Sequence, residues 1–407
     1  MAVAGVIQQI GSRKVVSLPT EPDQVYNFDD QYLLPGLIDT HVHLIFPGDG
    51  RPADQFVQAR SDMELLLTAE RNAERALAAG VTTMRDVGSR GRIVIVLRDA
   101  IAAGLARGPR LVVSGPAITI TGGHAHCLGG EADGVDGVRQ KARAILKDGA
   151  DLIKVMGCGG GTPGTLYWMP TYTIAEIQAA AEEAHRRKMH ITVHADCIKA
   201  IEIAVAAGVD MIEHAGMWTA PSEGPMHEYR PQITETLVKQ GIYVSPTLQA
   251  LYGEIRQLQQ RTQDHELTVT EQTRLDDLLV FFENQIGDFG RMHAAGVKLV
   301  AGTDAGWDIN PFGPEYVTGL ELAAEAGMSP WEVIEHATSQ AAKAIGLGNQ
   351  VGTLAPGYKA DLVLVTDNPL ANISTLRQPT AVFQNGRLVS RNGLLRSQKR
   401  KSTGYLT

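Results

Sequence analysis

The chain has 407 residues, of which 44% are hydrophobic and 20% charged, enough apolar mass for a large globular core. Its formal net charge of −8 argues against nucleic acid or an anionic membrane surface as a partner, and no apolar run is long enough to span a bilayer. Three scattered cysteines, Cys127, Cys158 and Cys197, read as free thiols, and MAVAGVIQQIG has no basic-then-apolar leader, so a cytoplasmic protein is expected.

In chain order, residues 1–35 hold short strand-like pieces, VIQQIG and KVVSL, separated by polar turns. LIDTHVH then opens a different rhythm, in which an apolar strand is followed by a helix that ends near a glycine. Ser61-Asp62-Met63-Glu64 is a capping box, as is Thr173-Ile174-Ala175-Glu176. Ser329-Pro330-Trp331-Glu332 adds a proline at the first helical position. Helix ends fall at Gly80, Gly149, Gly208, Gly241, Gly296 and Gly327. The strands are LIDTHVH, VTTMRDV, RLVVSG, DLIKVMG, HITVHA, VDMIEH, IYVSP and VKLVAGTD. Eight strands alternating with helices between about Leu37 and Leu347 predict a parallel (β/α)8 TIM barrel. A doubly wound sheet fits less well, because no glycine-rich phosphate loop follows the first strand.

Within the barrel, residues 253–296 read as a polar segment and a long helix. Leu275, Leu278, Leu279, Phe282, Ile286 and Phe289 fall on one face of that helix. The pattern predicts a helix packed on the barrel wall, with a lid or an oligomer contact as the alternative. After the barrel, ADLVLV and AVFQNGRLV are strand-like, and Asn385-Gly386 signals a tight hairpin. The plan is therefore one small β-sandwich domain built from both termini (residues 1–35 and 351–396), a barrel over 36–350 and a polar, basic tail at 397–407.

The chemistry starts from His41 and His43 in LIDTHVHL. Side chains at i and i+2 of a strand share a face, so both point to one side at the C-terminal end of the first strand, where barrel active sites lie. Two such imidazoles suit a divalent metal. Other strand ends supply partners: His194 in HITVHA, His214 in MIEHAG, Asp304 in AGTDAG and Lys154 in DLIKVMG. A buried lysine is costly unless its pKa falls, and a neutral amine reacts with carbon dioxide to give an anionic carbamate that can bridge two cations.

These residues carry a family resemblance. The stretches LPGLIDTHVHL, AGVTTMRDVG, GADLIKVMGCGG, VHADCIKAIEIAVAAGVDMIEHAG, AGTDAG and VGTLAPGYKADLVLV resemble the amidohydrolase superfamily. The type resembled has a binuclear metal center and a carboxylated lysine, and the similar branch holds Xaa-Pro and Xaa-Arg dipeptidases and imidazolonepropionase-like enzymes. The resemblance implies two divalent metal ions, zinc being expected. His41, His43 and Asp304 would bind the more buried ion and His194 and His214 the other, with carboxylated Lys154 between them. It further implies a metal-bound hydroxide as nucleophile and Asp304 as the group that moves its proton to the leaving amine.

The implied enzyme hydrolyses an amide C–N bond of a small molecule, a dipeptide or N-acyl amino acid first, with carbamates, aryl amides, ureas or mycotoxin amides as the rival class. A deaminase is disfavoured because Lys154 suits a bridged pair. A non-catalytic assembly relative is disfavoured because every ligand position is filled. In TGGHAH, His124 matches a histidine that polarises the scissile carbonyl in the resembled dipeptidases, although a structural loop histidine is the competing reading. Tyr229, after the sixth strand, is a second candidate donor to that oxygen. Tyr167 and Trp168 are candidate pocket residues beside Gly159-Gly160-Gly161, a run read as a tight turn near the metals. The long loop MWTAPSEGPMHEYRPQ departs from the family pattern, and a homo-oligomer is expected.

Overall fold

A computed structural model of the chain describes residues 1–12, 16, 24–28, 30–223, 225–264 and 266–396. KVVSL, apart from Val16, and the tail at 397–407 lie outside the described residues.

The eight expected strands are all present and parallel. Leu37–Val42, Val81–Asp86 and Arg110–Val113 form one hydrogen-bonded run. Leu152–Met156, His190–Cys197, Met211–Trp218, Tyr243–Ser245 and Lys298–Leu299 form the other. Segments just beyond the regular strands close the barrel. Ile118 N–H donates to Lys154 C=O and Met156 N–H to Ile118 C=O, each at 2.8 Å. On the other seam Thr40 N–H donates to Ala301 C=O (2.9 Å) and Asp304 N–H to His41 C=O (2.8 Å). His41 and Asp304 are thus hydrogen-bonded neighbours across the seam, although 262 residues separate them in sequence.

Local sequence explains the helices that wrap this barrel. The capping boxes at Ser61, Thr173 and Ser329 form with both reciprocal hydrogen bonds, and Gly241 ends its helix in the left-handed conformation (φ 69°). A further capping box, Thr268 with Glu271, starts the helix Val269–Ala294.

That helix and its partner Tyr252–Asp264 form an αα-hairpin between the seventh and eighth strands. Its outer part has its own apolar core of Ile255, Leu258, Leu275 and Leu278. Its inner part buries Phe289 and Met292 in the barrel core. Leu279, expected on the packed face, is 39% exposed. The apolar stripe drifts round the helix because its first half packs on the partner helix and its second half on the barrel, and Leu279 falls outside both.

Both termini meet in an antiparallel sheet ordered Leu394–Leu395, Arg387–Arg391, Ala381–Gln384, Leu362–Val365, Tyr32–Pro35. Asn385 (φ 49°) and Gly386 (φ 73°) make the tight turn between Ala381–Gln384 and Arg387–Arg391. A two-stranded ribbon, Ala2–Val3 with Val6–Ile7, reaches it through a bridge from Val6 to Lys359. Among the described residues no helix is long and apolar enough to cross a membrane.

Candidate active site

His41, His43, Lys154, His194, His214 and Asp304 line one cleft at the C-terminal ends of the strands. The space between the walls, counted to the open mouth, is ≈ 690 Å³. Ligand atoms of His41, His214 and Asp304 lie within 4.8 Å of one another. The ring of His214 is 5.0 Å from that of His41 and 4.7 Å from that of His194.

The orientation of each imidazole is set by the fold. His41 Nδ1 donates to Glu213 Oε2 at 2.7 Å, His43 Nδ1 to Gly88 C=O at 3.0 Å and His194 Nε2 to Gly159 C=O at 3.0 Å. A carboxylate or carbonyl oxygen only accepts, so the nitrogen facing it bears the hydrogen and the opposite nitrogen keeps its lone pair. His214 Nδ1 pairs with Thr247 Oγ1 at 2.7 Å, which leaves Nε2. The Nε2 atoms of His41 and His43 both stand 3.3 Å from Asp304 Oδ1. Two imidazole nitrogens and a carboxylate oxygen converging in this way are a donor set that fits a divalent cation, which would stand where a proton otherwise bridges them.

Charge in the cleft is tuned by burial and by these neighbours. Burial raises Asp304, but His41 and His43 outweigh it and hold the carboxyl well below the usual range. Burial pushes His194 and His214 well below the ordinary imidazole value, and neighbouring cationic groups add to the shift. Lys154 is lowered to about 8, chiefly by burial. Its amine is therefore more available in neutral form than a surface lysine's.

Backbone strain accompanies the site. Asp304 (φ 60°) and His214 (φ 71°) sit in the left-handed region that non-glycine residues rarely adopt. At His214 this breaks strand alternation, which is why Glu213 and His214 both serve the same site from adjacent positions.

Glu213 was not among the sequence candidates. It is fully buried, takes the His41 hydrogen bond on Oε2, and accepts from Arg85 Nη2 (2.6 Å) and Thr192 Oγ1 on Oε1. Burial would raise its pKa, but the adjacent Arg85 guanidinium and His41 hold it far below the carboxylate range. Arg85 also donates to Thr40 C=O at 2.5 Å. The signal available in sequence was a charge inside an otherwise apolar strand, in VTTMRDV and in VDMIEH, since buried charges come in pairs. Asp39 was missed too. It bolts the barrel seam, accepting from Thr303 Oγ1 at 2.7 Å and Thr303 N–H at 3.1 Å.

The remaining candidates divide. His124 lines the cleft with its ring 4.8 Å from that of His194 and Nδ1 3.0 Å from Thr162 Oγ1. Burial, then Lys154, lowers it to about 3, so it is neutral. Tyr229 does not line the cleft. Its hydroxyl accepts from Thr234 Oγ1 at 2.8 Å and its ring lies 4.5 Å from the Arg291 guanidinium. The loop after the sixth strand folds back between its own helix, which carries Thr234, and the helix Val269–Ala294, which carries Arg291. Tyr167 lines the cleft, whereas Trp168 packs half-buried against the core. The glycine run is explained by close approach: a Cβ on Gly160 would stand 2.6 Å from the His124 ring, and one on Gly161 2.6 Å from the Trp307 ring.

Comparisons with known proteins agree with this architecture. The model of the Amidohydrolase family matches residues 32–389. Ochratoxinase of Aspergillus niger is 27% identical over 401 residues, covering 89% of this chain and 76% of that protein. Imidazolonepropionase of Rhizorhabdus wittichii is 24% identical over 376 residues, covering 84% and 82%. A crystal structure of a Xaa-Pro dipeptidase with bound methionine in the active site superposes with a TM-score of 0.79 at 27% identity, covering 95% of this chain and 93% of that one.

Proposed function

The chain belongs to the Amidohydrolase family, and on that premise we propose that it is a metal-dependent hydrolase cleaving an amide C–N bond of a small molecule. The observation that carries the reading is the pair His41 and His43, whose Nδ1 atoms are committed to fixed oxygens while their Nε2 atoms face Asp304. His41, His43 and Asp304 would hold one divalent cation and His194 and His214 a second, with Lys154 between them as its carbamate. Such a pair, zinc in our reading, lowers the pKa of water and polarises a carbonyl.

The side chains do the rest. Asp304, kept ionised by His41 and His43, is the base that takes the proton of the attacking water and passes it to the departing amine. His124, neutral and on the wall beside His194, donates a hydrogen bond to the scissile carbonyl oxygen. Two substrate classes suit this chemistry. Likeness to a Xaa-Pro dipeptidase favours a dipeptide or N-acyl amino acid. The aromatic walls of the cleft favour an aryl amide, carbamate or urea.

The test is metal content together with turnover. The purified protein should hold close to two divalent ions per chain and lose amide hydrolysis on exhaustive chelation. Asp304→Asn should retain the fold by circular dichroism and lose at least about a hundredfold in kcat, within the range of removing a general base. A fully active chelated protein, or an active Asp304→Asn variant, overturns the reading.

A further inference from the structure

We infer that the αα-hairpin, acting through Phe281, sets the substrate class of this cleft: an amide whose group beside the scissile bond is aromatic or bulky and apolar and bears no charge. The inference rests on the hydrolase reading above and names the substrate of that same site.

Above the histidines the walls are Phe46, Tyr167, Leu251, Phe281 and Trp307, drawn from separate segments of the chain. Two of these rings, Phe281 and Trp307, are held in place by their neighbours. Phe281 stacks on Trp218, with centroids 4.7 Å apart and planes 15° apart. Trp307 stands edge-on to Phe46 and to His124, 5.6 Å from each, and the backbone of Gly161 is pressed against its indole. A slot of rings already ordered loses little entropy when it closes on a flat apolar group.

Charge tells against a carboxylate. Among the described residues that line the cleft, Lys154 is the one lysine or arginine, and it lies buried with the metal-ligand candidates, where the hydrolase reading commits it to the ions. At the rim, Arg274 of the hairpin is tied to Glu254 by two hydrogen bonds, of 2.9 Å and 2.7 Å. Asp304 also lines the space and is kept ionised, while burial raises the Asp196 carboxyl beside it to about 8, so neither supplies a cation. An anionic group entering the slot would lose water without gaining a partner. The hairpin contributes the Phe281 ring as apolar contact area, beside the uncharged Gln285, and among the described residues brings no cation to the lining.

Four acetamides with the same scissile bond test this on the metal-loaded full chain: N-methylacetamide, N-benzylacetamide, N-(2-phenylethyl)acetamide and N-acetylphenylalanine. The last two share a skeleton and differ by the carboxylate. N-benzylacetamide should exceed N-methylacetamide roughly a hundredfold in kcat/KM, since a single methylene in an apolar pocket already discriminates about 10- to 200-fold. The carboxylate should cost at least about tenfold. In Phe281→Ala the benzyl-to-methyl ratio should fall at least about tenfold, and Phe281→Leu should give an intermediate ratio. Equal ratios in wild type and both variants, or a preference for N-acetylphenylalanine, overturn the inference. Calorimetric binding of N-(2-phenylethyl)acetamide to the metal-free protein separates it from the hydrolase reading. Binding that weakens in Phe281→Ala, with no acetamide turned over by the metal-loaded protein, sinks the hydrolase and supports the slot. Turnover with a benzyl-to-methyl ratio near one sinks the slot alone.

Discussion

At the scale of single residues, the cleft is organised by a carboxylate that never faces solvent. Glu213 joins Arg85 to His41 inside the barrel, and each of its oxygens has a charged or imidazole partner. Glu213→Gln keeps the shape but removes the charge that compensates Arg85 and fixes the His41 tautomer. The expected loss is about 10- to 100-fold in metal affinity, read by calorimetric titration, because outer partners of ligating histidines carry effects of that size. A variant with unchanged affinity would show that Glu213 is only a structural counter-ion to Arg85. Lys154 makes a second prediction. Its pKa is lowered to about 8 by burial, and only the neutral amine reacts with carbon dioxide. The neutral fraction is near a tenth one pH unit below that value and near nine-tenths one unit above. Recovery of activity by metal-free protein given zinc, at a dissolved carbon dioxide concentration held equal at every pH, should therefore accelerate from pH 7 to about pH 9 and then level off. A recovery rate flat across that range argues against a carbamate. Of these residues, Lys154 was legible because a strand-end lysine is costly on its own. Glu213 was not, because strict alternation sends it to the face opposite His214, and only the left-handed backbone at His214 reverses that.

At the scale of elements, the strands and their order were legible because most apolar runs followed a helix-ending glycine, as at Gly80, Gly149, Gly208, Gly241 and Gly296. The hairpin at 252–294 was read with less success, for a physical reason. One helix there serves two cores in succession, so a single stripe of apolar residues could not describe it, and Leu279 emerged exposed. Tyr229 sits in the loop after the sixth strand as expected, but its hydroxyl meets Thr234 of the next helix and its ring the Arg291 guanidinium of the hairpin, outside the cleft lining. The divided packing predicts divided stability. Leu278, 2% exposed, belongs to the hairpin's own core, so Leu278→Ala should cost about 2–5 kcal/mol locally. Hydrogen exchange should speed up across Tyr252–Asp264 and the first half of Val269–Ala294 while the barrel strands keep their protection. Uniform acceleration throughout the chain would mean that hairpin and barrel unfold as one unit.

At the scale of the whole molecule, one buried carboxyl group ties three segments together where the small sheet meets the barrel. Asp361, 4% exposed, accepts Asn385 N–H on Oδ1 at 2.6 Å and Arg110 Nη2 on Oδ2 at 3.2 Å, and its own C=O accepts Gly36 N–H at 2.8 Å. Asn385 belongs to the tight turn of the sheet, Arg110 opens the third barrel strand, and Gly36 is the hinge from the sheet into the first. Asp361→Ala leaves the Asn385 N–H without its partner and Arg110 without its anion, a cost of about 1–3 kcal/mol concentrated at the junction. The four tryptophans, Trp168, Trp218, Trp307 and Trp331, all lie on the barrel side of that junction. Their fluorescence reports the barrel, whereas far-ultraviolet circular dichroism reports both parts. In urea the wild-type curves should coincide, because the sheet cannot open without exposing the seam that Asp361 seals. In Asp361→Ala the dichroism should begin to fall at lower urea than the fluorescence. Coincident curves in the variant would mean that the remaining contacts, among them those of Gln384 with Thr82 and Gly108, couple sheet to barrel without Asp361.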